Sequence, residues 1–270
     1  MLLAGYSAYP RHYDYKEMKS IADEVGAILM ADISHIAGLV GAEVAPDPFQ
    51  YCDVVTTTTH KTLSGPRRAI CFEKKNVNGI DLIAKINEAT FPGLMGGPHN
   101  HTIAGIAVAL KQALTPDFKR YQQSIQENSI HFAEELKKLG FNLLTGGTDN
   151  HMIMIDLRNK GIDGYQASEF MDIINVSINK NTIQGDLKAV KPSGIRVGTP
   201  PLTTRGADKN TFTKIAHLLE ESLIHCKSFT HHESIKDFKK AVKEAALSDP
   251  KIIEFKNRAK EISSSLIQIN

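Results

Sequence analysis

Short apolar runs separated by amphipathic stretches dominate the first half of the chain. Leu2–Ala4, Ala27–Ala31 and Asp53–Thr58 each predict a strand, because continuous apolar or β-branched runs suit a sheet that is buried on both faces. Between the first two runs, a capping-box pattern at Asp14 and an apolar face that extends to Val25 predict a helix. The alternation predicts a parallel α/β sheet covered by helices on both faces.

A change of architecture is predicted near the middle of the chain. Further along the first half, Ala69–Glu73 predicts a strand, residues 80–89 a helix, Phe91–His101 a glycine-rich loop and residues 102–114 a buried helix. The second half predicts an α+β domain, with strands at 152–157 and 194–198 and helices at 116–139, 164–174 and 208–227. We therefore predict two domains, residues 1–114 and 115–270.

A charged helical tail is predicted from residue 233, broken at Asp249 and Pro250. One face of this tail is apolar and predicts docking on a neighbouring element; its residues are Ile252, Phe255, Ala259, Ile262 and Leu266.

The composition argues against some classes of partner but does not identify a function. The chain is 41% hydrophobic and 23% charged with a formal net charge of +2, which is typical of a globular protein and gives no basis for a nucleic-acid partner. No apolar run reaches the roughly 18–20 residues of a membrane helix, so no membrane partner is expected. Cys52, Cys71 and Cys226 are far apart, which fits a reduced compartment.

Three residues are candidates for a catalytic or binding role. Asp32 follows a predicted strand, where α/β sheets bind ligands, although it could equally cap the helix that follows. Lys61 follows a threonine-rich strand; a desolvated lysine there suits Schiff-base chemistry, while an isolated lysine is more often a surface residue on a turn. Arg196 lies in a short apolar strand, where it could bind a substrate carboxylate or form an internal salt bridge.

Taken together, the three residues suit pyridoxal phosphate (PLP). This cofactor needs a lysine for its aldehyde, an acid for its ring nitrogen and an arginine for the substrate carboxylate. A metal is not expected, because His99 and His101, two apart in a glycine-rich loop, make a poor metal site.

Five motifs, which follow one another along the whole chain, resemble serine hydroxymethyltransferases. They are Gly5–Arg11, Ala31–Gly38, Asp53–Arg67, Phe91–His101 and Ser193–Arg205, and the third contains the distinctive run of four threonines, histidine and lysine. The resemblance implies the aspartate-aminotransferase fold (fold type I), with residues 1–114 as the C-terminal part of the large PLP-binding domain and residues 115–270 as a small α+β domain with a helical tail. It also implies that the family's N-terminal segment is missing, which leaves the large domain incomplete.

The resemblance further implies an activity. The expected reaction is the PLP-dependent interconversion of serine and glycine, with the one-carbon unit transferred to tetrahydrofolate. Expected partners are these small molecules and further copies of the chain, as a dimer or tetramer. No targeting segment is visible, so a cytoplasmic protein is expected, unless the true start lies further upstream.

Roles for individual residues also come from the resemblance. Lys61 would bond to the cofactor, Asp32 would hold the proton on the ring nitrogen, and His35 and Ser7 would contact the 3′-oxygen and the phosphate side. Thr58 and His60 would shape the pocket, while Gly96 and Gly97 would offer N–H groups to the cofactor phosphate of a second subunit. The substrate carboxylate is assigned to Arg196 with Arg67 close by, and the folate site to Phe91 and Asn181.

Two alternatives stay open at this point. The chain could be a truncated, catalytically impaired family member that folds only with other subunits. It could also be another fold-type-I PLP enzyme, such as an aldolase acting on threonine, which would not require folate.

Overall fold

A computed structural model describes residues 1–188, 190–231 and 234–268. The chain divides into two compact units, Met1–Gln123 and Ser124–Asn270. The boundary expected between residues 114 and 115 concerns the domains of the family and stays a prediction. Each unit is described by itself below.

The first unit combines a four-stranded and a two-stranded sheet with α-helices. Its strands are β1 (Leu2–Ala4), β2 (Leu29–Asp32), β3 (Val54–Thr58), β4 (Ala69–Glu73), β5 (Asn76–Val77) and β6 (Ile80–Asp81). Its helices are α1 (Tyr15–Glu24), α2 (Ala37–Gly41), α3 (Leu82–Glu88), α4 (Asn100–Ala113) and the first part of α5 (Pro116–Lys138).

The main sheet of this unit has the order β1-β2-β3-β4. The first three strands are parallel, as predicted, and Asp32 pairs in register with Thr56. The fourth strand, β4, for which the sequence predicts no direction, runs antiparallel to β3. The loop from residue 59 to 68 is too short for a crossover, so the chain can only turn back along the same edge.

Two predicted helix faces are more exposed than their apolar pattern indicates. In α1, Ala22 is fully buried, but Ile21 is largely exposed, as is Val25 just beyond the helix end. The helix α4 was expected to be buried, yet Ala109 is its buried residue and Ile103 and Val108 lie on the surface. Periodicity shows that a face is apolar but not what covers it.

The second unit is a small α+β arrangement. Its strands are β7 (Asn142–Leu143), β8 (Met152–Asp156), β9 (Asn179–Asn181) and β10 (Gly194–Gly198), in the order β7-β8-β10-β9, with every pairing antiparallel. After the second part of α5 come the helices α6 (Gly164–Ile173), α7 (Pro200–Thr204), α8 (Lys209–Cys226), α9 (Ile235–Ala245) and α10 (Pro250–Ser264).

The tail of the second unit is docked, as the sequence predicts. The side chains of Ile252 and Phe255 are buried on α10 and join the core cluster that also contains Phe170 and Phe212. Its break falls where expected, because Asp249 caps α10 and Pro250 takes the first helical position.

Among the residues that the structure describes, no helix combines the length and the apolar character that a membrane crossing requires.

Candidate active site

Asp32 is held as a carboxylate at the end of β2. One oxygen accepts a hydrogen bond from the Ser34 N–H at 3.0 Å, and the other accepts one from the Thr56 hydroxyl at 2.8 Å. Burial by itself would raise the pKa of Asp32, but these hydrogen bonds and the positive charge of Lys61 outweigh it and hold the pKa below its ordinary value. The side chain is therefore a fixed, ionised acceptor near neutral pH.

The first glycine of the chain lets the β1 loop approach Asp32. Gly5 has a positive φ of 156°, and a Cβ there would lie 2.5 Å from the Asp32 carbonyl oxygen and 2.9 Å from the Asp32 Cβ. No side chain fits such a contact. Ser7 lies two residues further on, exposed in the turn that follows, so Gly5 places the start of that turn against Asp32.

Hydrogen bonds join the segment after β2 to the end of β3. The Thr58 N–H donates to the Ser34 hydroxyl at 3.0 Å, and the Thr58 hydroxyl donates to the Ser34 carbonyl at 3.4 Å. Four residues later, the Thr62 hydroxyl donates to the His35 carbonyl at 3.2 Å. The segment that contains Asp32 and His35 is thereby fixed beside the segment that contains Lys61.

Lys61 lies at the start of a closed loop that connects β3 to β4. The Thr59 hydroxyl donates to the carbonyls of Pro66 and Arg68, and the Gly65 N–H donates to the Thr59 carbonyl at 2.8 Å. Lys61 itself is half-buried. It forms no ion pair within the described residues, although its charge lowers the pKa of Asp32. The charge of Lys61 thus acts on the acid although the described residues show no ion pair between them.

His60 presents an imidazole with an unused nitrogen. Its Nδ1 is buried and has no hydrogen-bond partner in the part of the chain that the structure describes. Burial and the positive charges of Arg67 and Lys61 lower the pKa of His60, so the ring is neutral at pH 7. A buried, unsatisfied imidazole nitrogen beside Lys61 is suited to a polar group of a ligand.

Arg196 and Asn181 lie on neighbouring strands of the second unit. Gly194 of β10 pairs with Asn181 of β9, and Arg196 pairs with Asn179. Partial burial lowers the pKa of Arg196, because desolvation disfavours the charged form; the guanidinium nevertheless stays charged at neutral pH. The residue predicted for the substrate carboxylate and one of those predicted for folate therefore lie on adjacent strands of this unit, two positions apart in register.

The remaining predicted residues follow α3. Phe91, Gly96 and Gly97 are exposed, and a Cβ at either glycine would meet open space. Their expected roles toward folate and toward the cofactor of a second subunit stay predictions. Arg67 is also exposed, in the loop that closes behind Lys61.

Sequence reasoning assigned no role to Ser34, Thr56 and Thr62. Each is a small hydroxyl residue that holds the backbone or the acid, and each lies within a sequence motif that also contains a candidate site residue. The register of β2 against β3 would have pointed to Thr56, because it is the residue opposite Asp32.

The structure also shows how potential metal ligands and the three cysteines are arranged. Within the described ranges, no cluster of three or more His, Cys, Asp or Glu side chains could hold a metal ion. Cys52, Cys71 and Cys226 are free thiols.

Comparison with known proteins gives one consistent match. The family model described as serine hydroxymethyltransferase matches residues 1–219. Serine hydroxymethyltransferase 3, chloroplastic, of Arabidopsis thaliana is 47% identical over 246 residues, which cover 90% of this chain and 46% of the relative. The cytosolic enzyme of Oryctolagus cuniculus is 49% identical over 233 residues, covering 83% and 48%. A Caenorhabditis briggsae relative is 46% identical over 274 residues, covering 97% and 54%. The chain spans about half the length of these curated relatives.

Proposed function

Because this chain belongs to the serine hydroxymethyltransferase family, as its motifs predicted, we propose that it acts in the interconversion of serine and glycine with transfer of the one-carbon unit to tetrahydrofolate. The family has fold type I, and the mixed α/β structure agrees with it. We also propose that residues 1–114 are the C-terminal part of the large PLP-binding domain and residues 115–270 the small domain.

A single observation carries the proposal. Lys61 and Asp32 lie at the ends of adjacent parallel strands, and the charge of the lysine acts on the carboxylate. Parallel α/β sheets bind ligands at this edge. A half-buried lysine and an ionised aspartate are the two groups that a PLP site needs most.

The residues present fit pyridoxal phosphate by their donor chemistry. Lys61 would bond to the aldehyde, and Asp32, kept ionised by Ser34 and Thr56, would hold the proton on the ring nitrogen. When bound, PLP supplies a ring that accepts the electron pair released at the substrate's Cα.

Other chain residues shape and complete the site in this proposal. His35 would contact the 3′-oxygen, Ser7 the phosphate side, and Thr58 with His60 would line the pocket around the amine. The neutral His60 ring would add no positive charge next to Lys61. In a second copy of the chain, Gly96 and Gly97 would reach the cofactor phosphate.

The residues proposed to bind the substrate carboxylate and folate have polar or aromatic side chains that suit these ligands. Arg196 and Arg67 would bind the substrate carboxylate as fixed cations, since guanidinium matches carboxylate geometry. Phe91 and Asn181 would line the folate site, with the exposed Phe91 ring offering a stacking surface and Asn181 an amide.

The assembly and location are proposed with the activity. We propose a homo-oligomer, dimer or tetramer, acting on small molecules. A cytosolic location follows the name of the Oryctolagus cuniculus relative, whereas the Arabidopsis thaliana relative is named chloroplastic. Cell fractionation with an antibody to the chain distinguishes the two compartments.

Absorbance with added PLP tests the proposal. The purified full chain is expected to gain a visible absorbance band, because a protonated C=N bond to a lysine absorbs at longer wavelength than the free aldehyde. Lys61→Ala should abolish the band and any serine cleavage, a loss of at least about a hundredfold in rate. Lys16→Ala, at an exposed position on α1, is the matched control and should keep both.

The same assay separates the alternatives. Serine cleavage that requires tetrahydrofolate supports the proposed activity, and folate-independent cleavage of threonine alone would favour the aldolase. The family match favours the first outcome. A folded chain that bonds to PLP but cleaves no serine would support the catalytically impaired alternative, which the comparisons do not favour.

A further inference from the structure

Gln122 is a fully buried polar residue on α5, and only one of its two polar side-chain atoms is hydrogen-bonded. Its Nε2 donates to the Thr62 carbonyl at 3.1 Å, while its Oε1 is buried and has no partner among the described residues. An unsatisfied buried amide oxygen costs free energy that an apolar side chain of the same size would avoid. The single bond that Gln122 makes therefore needs an explanation.

That bond lies directly beside Lys61, because Thr62 is the next residue. The Thr62 hydroxyl also donates to the His35 carbonyl at 3.2 Å and accepts from the Gly38 N–H at 2.8 Å. A Cβ at Gly38 would lie 2.5 Å from the Thr62 carbonyl oxygen and 2.7 Å from the Gln122 Nε2. The three segments thus meet so closely behind Lys61 that only glycine fits at position 38.

The main chain on the other side of Lys61 is fixed as well. Thr58 is bound to Ser34, and Thr59 closes the loop onto Pro66 and Arg68. The backbone of Lys61 is consequently held before and after the residue, and on the Thr62 side the carbonyl has Gln122 as its side-chain donor.

We propose that Gln122 is a positioning residue for Lys61. By fixing the Thr62 carbonyl, it fixes the direction in which the lysine side chain leaves the backbone and keeps the amine beside Asp32. The inference rests on the proposed function, since a fixed direction matters when the amine must bond to a cofactor aldehyde whose ring nitrogen lies at Asp32.

Gln122→Met in the full chain tests this role, because methionine keeps the volume and removes the donor. Its matched control is Gln123→Met, at the exposed neighbouring position. The first measurement is acetylation of Lys61 by acetic anhydride without cofactor, read by peptide mass relative to the exposed Lys16. The second is the amount of PLP that borohydride traps on Lys61.

We expect the two measurements to move in opposite directions. Acetylation of Lys61 should rise about threefold in Gln122→Met, because a loosened backbone exposes the half-buried amine. Trapping of PLP at Lys61 should fall about tenfold, because a misdirected amine loses the advantage of orientation. Lys19, bound to Asp53 in the same unit, should keep its acetylation rate, and Gln123→Met should match the parent chain throughout.

A folded Gln122→Met with the parent's Lys61 acetylation and trapping would overturn the proposal. An equal rise at Lys61 and Lys19 would also overturn it, because it would show general loosening of the unit. If the parent chain traps no PLP, the proposed function fails, while acetylation still decides whether Gln122 positions the amine. If Gln122→Met does not fold, Gln122→Leu, which also removes the donor to the Thr62 carbonyl, must raise Lys61 acetylation and leave that of Lys19 unchanged; any other result rejects the role.

Discussion

The charge on Asp32 is set by its immediate neighbours. Burial opposes ionisation, yet two hydrogen bonds and the nearby Lys61 reverse the balance and lower the pKa of Asp32. A carboxyl group whose pKa is lower in the folded chain stabilises the fold above its ordinary pKa near 4 and loses that contribution as the pH falls through the folded value. The site therefore keeps its acid ionised across the physiological range.

Thr56→Val is expected to weaken this arrangement. The variant loses the 2.8 Å bond to the carboxylate, so the pKa of Asp32 should rise toward its ordinary value. Because Asp32 is half-exposed and water can replace part of the bond, the free energy of unfolding at pH 7 should fall by only about 1 kcal/mol. NMR titration of the Asp32 carboxyl carbon measures the pKa, and urea unfolding measures the free energy.

Thr56→Ser is the control, since it keeps the hydroxyl. It should retain the lowered pKa of Asp32, and the stability difference between the two variants should shrink as the pH falls below 4. An Asp32 titration that is identical in Thr56→Val and the parent chain would show that the hydroxyl does not stabilise the ionised acid.

The candidate residues themselves could be predicted from the sequence, but the residues that hold them in place through hydrogen bonds could not. Asp32 and Lys61 stand directly after apolar or β-branched runs, and this position alone indicates a strand end. Thr56 holds Asp32 through a register that only the folded sheet reveals. Gln122 is far from Lys61 in the sequence and reaches it through α5 packing, for which no local pattern exists.

At the scale of elements, strands β2 and β3 are joined at both ends. Their carboxyl ends share the Asp32–Thr56 bond. Near their amino ends, the buried Asp53 accepts from the Leu29 N–H at 2.9 Å and from the Lys19 ammonium at 3.0 Å and 3.1 Å. Because Leu29 begins β2 and Asp53 directly precedes β3, this carboxylate fixes the relative position of two strands that carry the candidate site.

Asp53→Asn is expected to lower the free energy of unfolding by about 2 kcal/mol. The change leaves Lys19 without its buried counter-charge, and the lysine's partial exposure moderates the cost. Asp23→Asn is a matched control, because Asp23 pairs with the same lysine but is 59% exposed; its cost should stay below about 0.5 kcal/mol. If urea unfolding shows the same loss of free energy for both variants, the burial of Asp53 adds no stability to its ion pair with Lys19.

The positions of strands and helices could be predicted more easily than the direction of a strand or the burial of a helix. The strand 69–73 was placed correctly, but its antiparallel direction depends on the short loop that Thr59 closes. The hairpin of β5 and β6 is too short to leave a periodic pattern. In α4, the apolar residues predicted burial, but Ile103 and Val108 remain exposed because a face can be apolar without being covered by its own unit.

The two units of the molecule have cores of unequal size. The fully buried side chains of the second unit include Phe170, Phe212, Phe238 and Phe255, whereas the largest in the first unit are Leu29 and Leu39. The first unit also exposes large apolar side chains, namely Phe91, Leu94, Met95, Ile103, Val108 and Leu114. Since burial of apolar surface is the main source of stability, the second unit should be the more stable one.

Hydrogen exchange in urea is therefore expected to show two transitions. Amides of β2 and β3 should lose protection at about 1 M less urea than those of β8 and β10, a difference of about 2 kcal/mol at the slopes usual for small domains. Coincident midpoints would show that the units unfold as one and that core size does not set the order.

Added PLP should raise the midpoint of β2 and β3, because a ligand that binds the native state stabilises it by mass action. A Lys61→Ala chain should lose most of that increase while keeping the second transition unchanged, which links the stability of the first unit to the candidate site that it contains.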